Sequence, residues 1–179
     1  MKNIFTALIL GIALAGVSYA QAPVKGVKTA VVEFTPGSNA SAMNDMAKRN
    51  LQTTLSASLN NTRKFDVYDT RHTRNATQES LATINGSSTA AAIKAGKQLG
   101  VAYIVTGAVD EYVTKGADGK GSAAVTVRVI EVATGKVKYT GEVTVRSGKQ
   151  MKTGSVPEMH AEVIKHIVDQ FTELIAGRF

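Results

Sequence analysis

The sequence predicts an α/β protein of the α+β type, a single domain with a mixed, mostly antiparallel sheet packed by helices. Three observations carry that expectation. Ala95–Tyr112, AGKQLGVAYIVTGAVDEY, reads as the end of a helix, a stop at Gly100 and a strand too apolar on both faces to lie at a sheet edge. Two alternating segments follow, Ala123–Val132 and Lys136–Arg146, joined by the tight Ala133-Thr134-Gly135 turn. Behind them comes a long stripe, Met159, Val163, Ile164, Ile167, Val168, Phe171, Leu174 and Ile175, wide enough to dock a helix onto that sheet.

Taken in order, the chain opens with Lys2, an apolar run from Ile4 to Val17, and Ser18-Tyr19-Ala20, which has the form of a secretory signal cut after Ala20. Residues 1–20 are thus expected to be removed, 21–27 to form an extended lead with one proline, and 28–179 to form the domain. The run is too short for a membrane span, and no later segment is apolar for long enough, so the exported chain is expected to lack a transmembrane segment. The sequence contains no cysteine. That excludes disulfides, thiolate metal sites and a lipidated-cysteine anchor, and it suits a bacterial periplasm. A formal charge of +7 implies anionic neighbours. Behind a signal peptide those are cell-wall polymer, lipid head groups or an acidic protein, not nucleic acid.

Lys28–Phe34, KTAVVEF, reads as a strand ended by Pro36-Gly37-Ser38-Asn39. Ser41 then caps a helix whose apolar positions, Met43, Met46, Ala47, Leu51, Leu55 and Leu59, recur every three to four residues. Asn60-Asn61-Thr62 stops it, and Lys64–Asp69, KFDVYD, forms a second strand. Thr70–Asn85 is polar and reads as a loop passing into a loosely packed helix. The Ala-rich helix Thr89–Leu99 has small residues that let it lie close to the sheet. Asp118-Gly119 marks a hairpin turn, and Ser155 with Pro157 opens the closing helix, which runs to about Ala176.

Chemistry finds little support. Gly116–Ser122, GADGKGS, lacks phosphate-loop spacing and joins two strands, so no helix N-terminus stands behind it. His72, His160 and His166 have no metal-ligand spacing. No G-x-S-x-G elbow occurs, and Asp110 and Glu111, adjacent on a strand, are expected on opposite faces. No catalytic, metal or cofactor residue is therefore expected. Asn39, Asn60, Asn75 and Asn85 begin Asn-x-Ser/Thr triplets that read as polar loops and helix ends. Arg128, Lys138 and Arg146, with Glu142 among them, fall on the polar side of the two alternating strands. That side is either simply solvated or a docking surface for an acidic partner or a second copy.

An AVVEF strand, a Leu-spaced helix, a KFDVYD strand, GKQLGVAYIVTG at Gly96–Gly107 and VATGKV at Val132–Val137 together form a pattern over nearly the whole expected domain. It resembles the curli-assembly CsgG-like superfamily, which also takes in the LpoB-type activators of penicillin-binding proteins. The resemblance implies a periplasmic protein, peripheral to the outer membrane if associated with it, that works by binding and assembly without chemistry. This chain has no cysteine to lipidate, and its Thr114–Ser122 hairpin is too short and polar to build a barrel through a bilayer. The expectation is a non-enzymatic CsgG-like protein that binds envelope proteins or itself in curli-type assembly or secretion. The alternatives are an LpoB-like regulator of a peptidoglycan synthase, or a small periplasmic ligand-binding protein or enzyme.

Overall fold

In the computed structural model, residues 26–86 and 89–179 are described. The expected signal peptide and nearly all of the extended lead lie outside them. Six strands build one sheet: β1 (Val27–Val31), β2 (Thr35–Asn39), β3 (Phe65–Val67), β4 (Tyr103–Val113), β5 (Ser122–Glu131) and β6 (Val137–Arg146). Their order is β3-β1-β4-β5-β6, with β2 also pairing β4. β1, β2 and β3 run parallel to their neighbours, while β4, β5 and β6 form an antiparallel meander. The mixed sheet expected from the sequence is the one observed.

β2 corrects one expectation. Pro36-Gly37-Ser38-Asn39 does not end pairing, because Val32 N–H donates to Val105 O at 2.9 Å and Thr35 and Pro36 then pair with Ala108 and Val109. A proline is tolerated there because, among the described residues, the strand has a neighbour on one side only, so its missing N–H leaves no ladder bond unmade.

The first helical layer comprises α1 (Asp45–Asn61) and the closing helix. The N-cap of α1 is Asn44, whose side chain accepts from Ala47 N–H at 3.0 Å, and not the expected Ser41. That start turns Met46 outward, 60% exposed, while Leu51, Leu55 and Leu59 are buried against Val105, Val125 and Phe171. Each such leucine contributes about 2 kcal/mol by its burial. The closing helix is α5 (Val156–Met159), a π turn over His160–Ile164, and α6 (Lys165–Ala176). Ser155 makes no side-chain cap. Glu158, in the first turn, instead reaches back to the loop before the helix, its carboxylate accepting from the N–H groups of Lys152, Thr153 and Gly154 at 2.7–2.9 Å. These bonds to Lys152 and Thr153 hold its pKa down at about 2.

The second layer covers the opposite face over β1, the first half of β4 and the end of β5. Asp69 caps α2 (Thr70–Thr77) by accepting from Arg71 and His72 N–H, so the segment expected to begin as a loop is helical from its first residue. A 3₁₀ turn leads to α3 (Leu81–Asn85), and α4 (Thr89–Leu99) follows. Ala92, Ala95 and Gly96 bring α4 close to the sheet, as expected: a Cβ at Gly96 would collide with Val132 Cγ2. Ile84, Ala92 and Ala95 bury Ala30, Val32, Ile104 and Ile130 in a smaller core.

Candidate functional site

Among the described residues, no helix covers the second face of the sheet from the midpoint of β4 onward. Past Thr106, which is buried, the side chains there become polar and progressively exposed: Thr126 and Ser122 on β5, then Thr140, Glu142, Thr144 and Arg146 on β6. The ladder sets Thr126 beside Glu142, Ala124 beside Thr144 and Ser122 beside Arg146. Small residues and alternating charge give a flat, wettable surface flanked by the exposed β2 edge.

One feature of this face overturns the sequence expectation. The β4–β5 register shifts between Val109 and Glu111, leaving Asp110 as the extra residue. A bulge breaks the alternation of side chains, and both carboxylates turn to the same side. Asp110 accepts from Thr126 Oγ1 at 2.6 Å, and Glu111 accepts from Ser122 Oγ. Both acids are thereby tied to the hydroxyls of β5.

The three sequence-selected cations are distributed over the sheet. Arg128 stands opposite Thr106 and Thr140 and is half-buried. Its guanidinium donates to the carbonyls of Ile84, at 3.2 Å, and Gly86, so it ties α3 to the rim of the open face. Arg146 pairs with Asp118 of the hairpin turn, whose carboxyl is held below its usual range by the Lys120 N–H and by that guanidinium. Lys138 lies eight residues from Arg146 along β6, about 26 Å at ~3.3 Å per residue. It sits in the bulge opposite Val129 and Ile130, its ammonium 3.4 Å from Glu131. Glu131 is held low chiefly by the Thr134 hydroxyl and then by Lys138. Arg128 and Arg146 thus frame the open face, and Lys138 lies off it, on the side of the first helical layer, where Glu131 also accepts from the Tyr103 hydroxyl at 3.4 Å.

Beside Arg128 lies a polar cluster that sequence reasoning missed. Asn85, 8% exposed, donates to Glu33 O at 2.6 Å and accepts from Thr106 Oγ1 and from Gly107 N–H, the latter at 3.2 Å. Of the four Asn-x-Ser/Thr residues, Asn85 is consumed by the fold, while Asn39, Asn60 and Asn75 are exposed.

Two clefts lie elsewhere. One, of about 450 Å³, separates α2 from α4. The other, of about 410 Å³, is walled by Glu33, Asp45, Lys48 and Arg74, whose charges pair within the wall: Lys48 with Asp45 at 2.6 Å and Arg74 with Glu33 at 3.6 Å. Among the described residues no group of three or more His, Cys, Asp or Glu is placed to hold a metal. No helix among them is long and apolar enough to cross a membrane.

These features define an α+β domain, a helix-backed mixed sheet with a polar half-face that no described helix covers. The model of the peptidoglycan-synthase activator LpoB family matches residues 13–145, and the chain belongs to that family. That match supports the LpoB-type part of the sequence resemblance and gives no support to the curli-assembly part. No curated protein matches the sequence. Among solved structures, the chain is similar to the hypothetical protein CT253 from Chlamydia trachomatis, with 14% identity, a TM-score of 0.57 and coverage of 83% of this chain and 96% of that one. It is also similar to lipoprotein GNA1162 from Neisseria meningitidis, with 16% identity, a TM-score of 0.54 and coverage of 81% and 96%. The PelC dodecamer from Paraburkholderia phytofirmans shares 16% identity at a TM-score of 0.52, with coverage of 83% and 89%. At these identities the likeness is one of fold.

Proposed function

We propose that this protein is a non-catalytic regulator in the bacterial cell envelope that binds a peptidoglycan synthase and raises its activity. The family match across residues 13–145 is the observation that carries this reading. The open half-face is the docking surface of the proposal. Arg128 and Arg146 frame it, and it takes a partner surface with acidic groups opposite the two arginines. Export to the periplasm belongs to the same proposal and rests on the sequence of residues 1–20, while peripheral placement at the outer membrane rests on the family match. The curli-type reading would require the same domain without a synthase partner, and no feature of the open face favours it.

The test is binding and activation. The full chain is titrated into a purified bifunctional peptidoglycan synthase at low and high salt, and glycan polymerisation is followed. The proposal expects saturable binding that weakens with salt and a faster reaction in the bound state. A Thr126→Trp variant, which plants a large ring in the middle of the half-face, should bind at least tenfold more weakly while keeping its fold. Undiminished binding by that variant would move the docking surface elsewhere, and no binding to any synthase would remove the proposal.

A further inference from the structure

β6 is the outer strand of the meander, ten residues long, and among the described residues its only strand partner is β5. Edge strands of that length are usually blunted by proline, by inward charges or by a mid-strand bulge, because an unpaired row of N–H and C=O groups recruits other chains. β6 contains no proline, and its register shift falls at its first residues, next to Lys138. From Thr140 to Arg146 the ladder to β5 is regular.

The direction of the free backbone groups can be worked out. Ser147 N–H donates to Gly121 O at 2.8 Å, one step beyond the Ser122–Arg146 pair. In an antiparallel ladder, bonded and non-bonded pairs alternate. The odd-numbered residues of β6 therefore bond inward to β5, and Thr140, Glu142, Thr144 and Arg146 turn their N–H and C=O groups to the outer edge. The side chains of those same four residues are exposed on the open face.

We infer that β6 pairs antiparallel with β6 of a second copy of this chain, about a two-fold axis at Thr144. That register sets Thr144 against Thr144 of the second copy, and it sets Glu142 against Arg146 in both directions. An antiparallel register centred on Glu142 would oppose Glu142 to itself, and one centred on Val143 would set each charge against a threonine. Within the regular stretch Thr140–Arg146, only the Thr144 axis makes the strand complementary to itself in charge, which is what an isologous contact requires; an axis at Thr140 would set Glu142 against Lys138, which lies in the irregular part of the strand. On the other face the same register places Val143 opposite Val145, continuing the apolar side of the sheet across the junction. The two half-faces then join into one surface that displays two copies of the Arg128 site. This inference concerns the chain alone and does not depend on the identity of the synthase.

Because the chain has no cysteine, a single introduced one reports on this contact without interference. Residues of a bonded cross-strand pair have Cα atoms about 5.5 Å apart, within disulfide range. The full chain carrying Thr144→Cys should form a covalent dimer under mild oxidation. Thr140→Cys, which the same axis sets opposite Gly148, should not. In sedimentation of the cysteine-free chain, Glu142→Arg should weaken dimerisation about 10- to 100-fold, since two attractive cross-strand pairs become repulsive. The double exchange Glu142→Arg with Arg146→Glu, compared with Glu142→Arg alone in an Asp118→Asn background that removes the carboxylate Arg146 pairs with in its own chain, should restore it. Far-UV circular dichroism confirms that each variant is folded. Equal cross-linking at positions 140 and 144, a folded monomer at all concentrations, or failure of the double exchange to restore dimers would each overturn the inference. So would a discrete mass well above two chains, which would require head-to-tail pairing of different edges.

Discussion

Asn85 locks α3 onto β4 through a buried set of side-chain bonds, and Asn85→Ala tests that directly. The side chain closes three bonds in a buried setting, to Glu33 O, Thr106 Oγ1 and Gly107 N–H. After truncation, Thr106 keeps a partner, because its hydroxyl also reaches Ile84 O at 3.1 Å. The Glu33 carbonyl and the Gly107 N–H lose theirs. Each orphaned buried group costs about 1–3 kcal/mol, so the expected loss is about 2–4 kcal/mol once partial relaxation is allowed. For a domain of this size that lowers Tm by about 5–15 °C. Urea unfolding followed by far-UV circular dichroism measures the free energy, and a thermal scan measures the shift. A loss under about 1 kcal/mol would show that water or backbone movement replaces the amide, and the argument that Asn85 locks α3 onto β4 would fail.

Further expectations follow from single positions. Gly107→Ala should cost about 3 kcal/mol or more, because its Cβ would meet the Thr126 carbonyl and lie 2.7 Å from the Phe34 ring, so backbone must move; urea unfolding reads the loss. Tyr112→Phe should stabilise by about 1 kcal/mol, because the Tyr112 hydroxyl is buried without a partner among the described residues and burial already pushes its pKa up; the same unfolding assay reads the gain. Glu158, with a folded pKa of about 2 against an ordinary 4.5, contributes stability that is fully present above about pH 4.5 and is lost as pH falls toward 2. The difference between the wild type and Glu158→Gln should therefore shrink across that window in urea titrations at several pH values, and a difference independent of pH would contradict the assignment.

How far the sequence reached depended on whether position was set by apolar pattern or by polar partners. β4, β5 and β6 were legible because Val125, Val127 and Val129 alternate with polar residues and because Gly100, Gly119 and Gly135, all at positive φ, punctuate them. α4 was legible from its run of small residues. β2 was not, since Pro36-Gly37 carries a turn signature and only its place beside β4 makes it a strand. α2 escaped notice because its buried positions are Thr73 and Thr77, whose hydroxyls are satisfied by the carbonyls of Asp69 and Thr73 four residues back. No apolar stripe announces such a helix. The same limit applies at the open face. Arg128 and Arg146 could be assigned a side by parity, but the bulge that brings Asp110 and Glu111 together shifts parity by one, and nothing in the local sequence records it. Lys138 misleads for a related reason, because the register shift beside it falls at the other end of β6. Asn85 offered only its Asn-x-Ser triplet, a signal for surface loops and therefore the opposite of its role.

The central claim is that a synthase docks on the uncovered half of the sheet. Hydrogen exchange of the chain, alone and saturated with the purified synthase, tests it most directly. The account predicts slowed exchange at the open end of the sheet, in the second half of β4, in β5 from Ser122 to Arg128 and in β6 from Thr140 to Arg146, with α1 and α6 unchanged. Protection confined to α1 and α6, with the sheet unaffected, would contradict it.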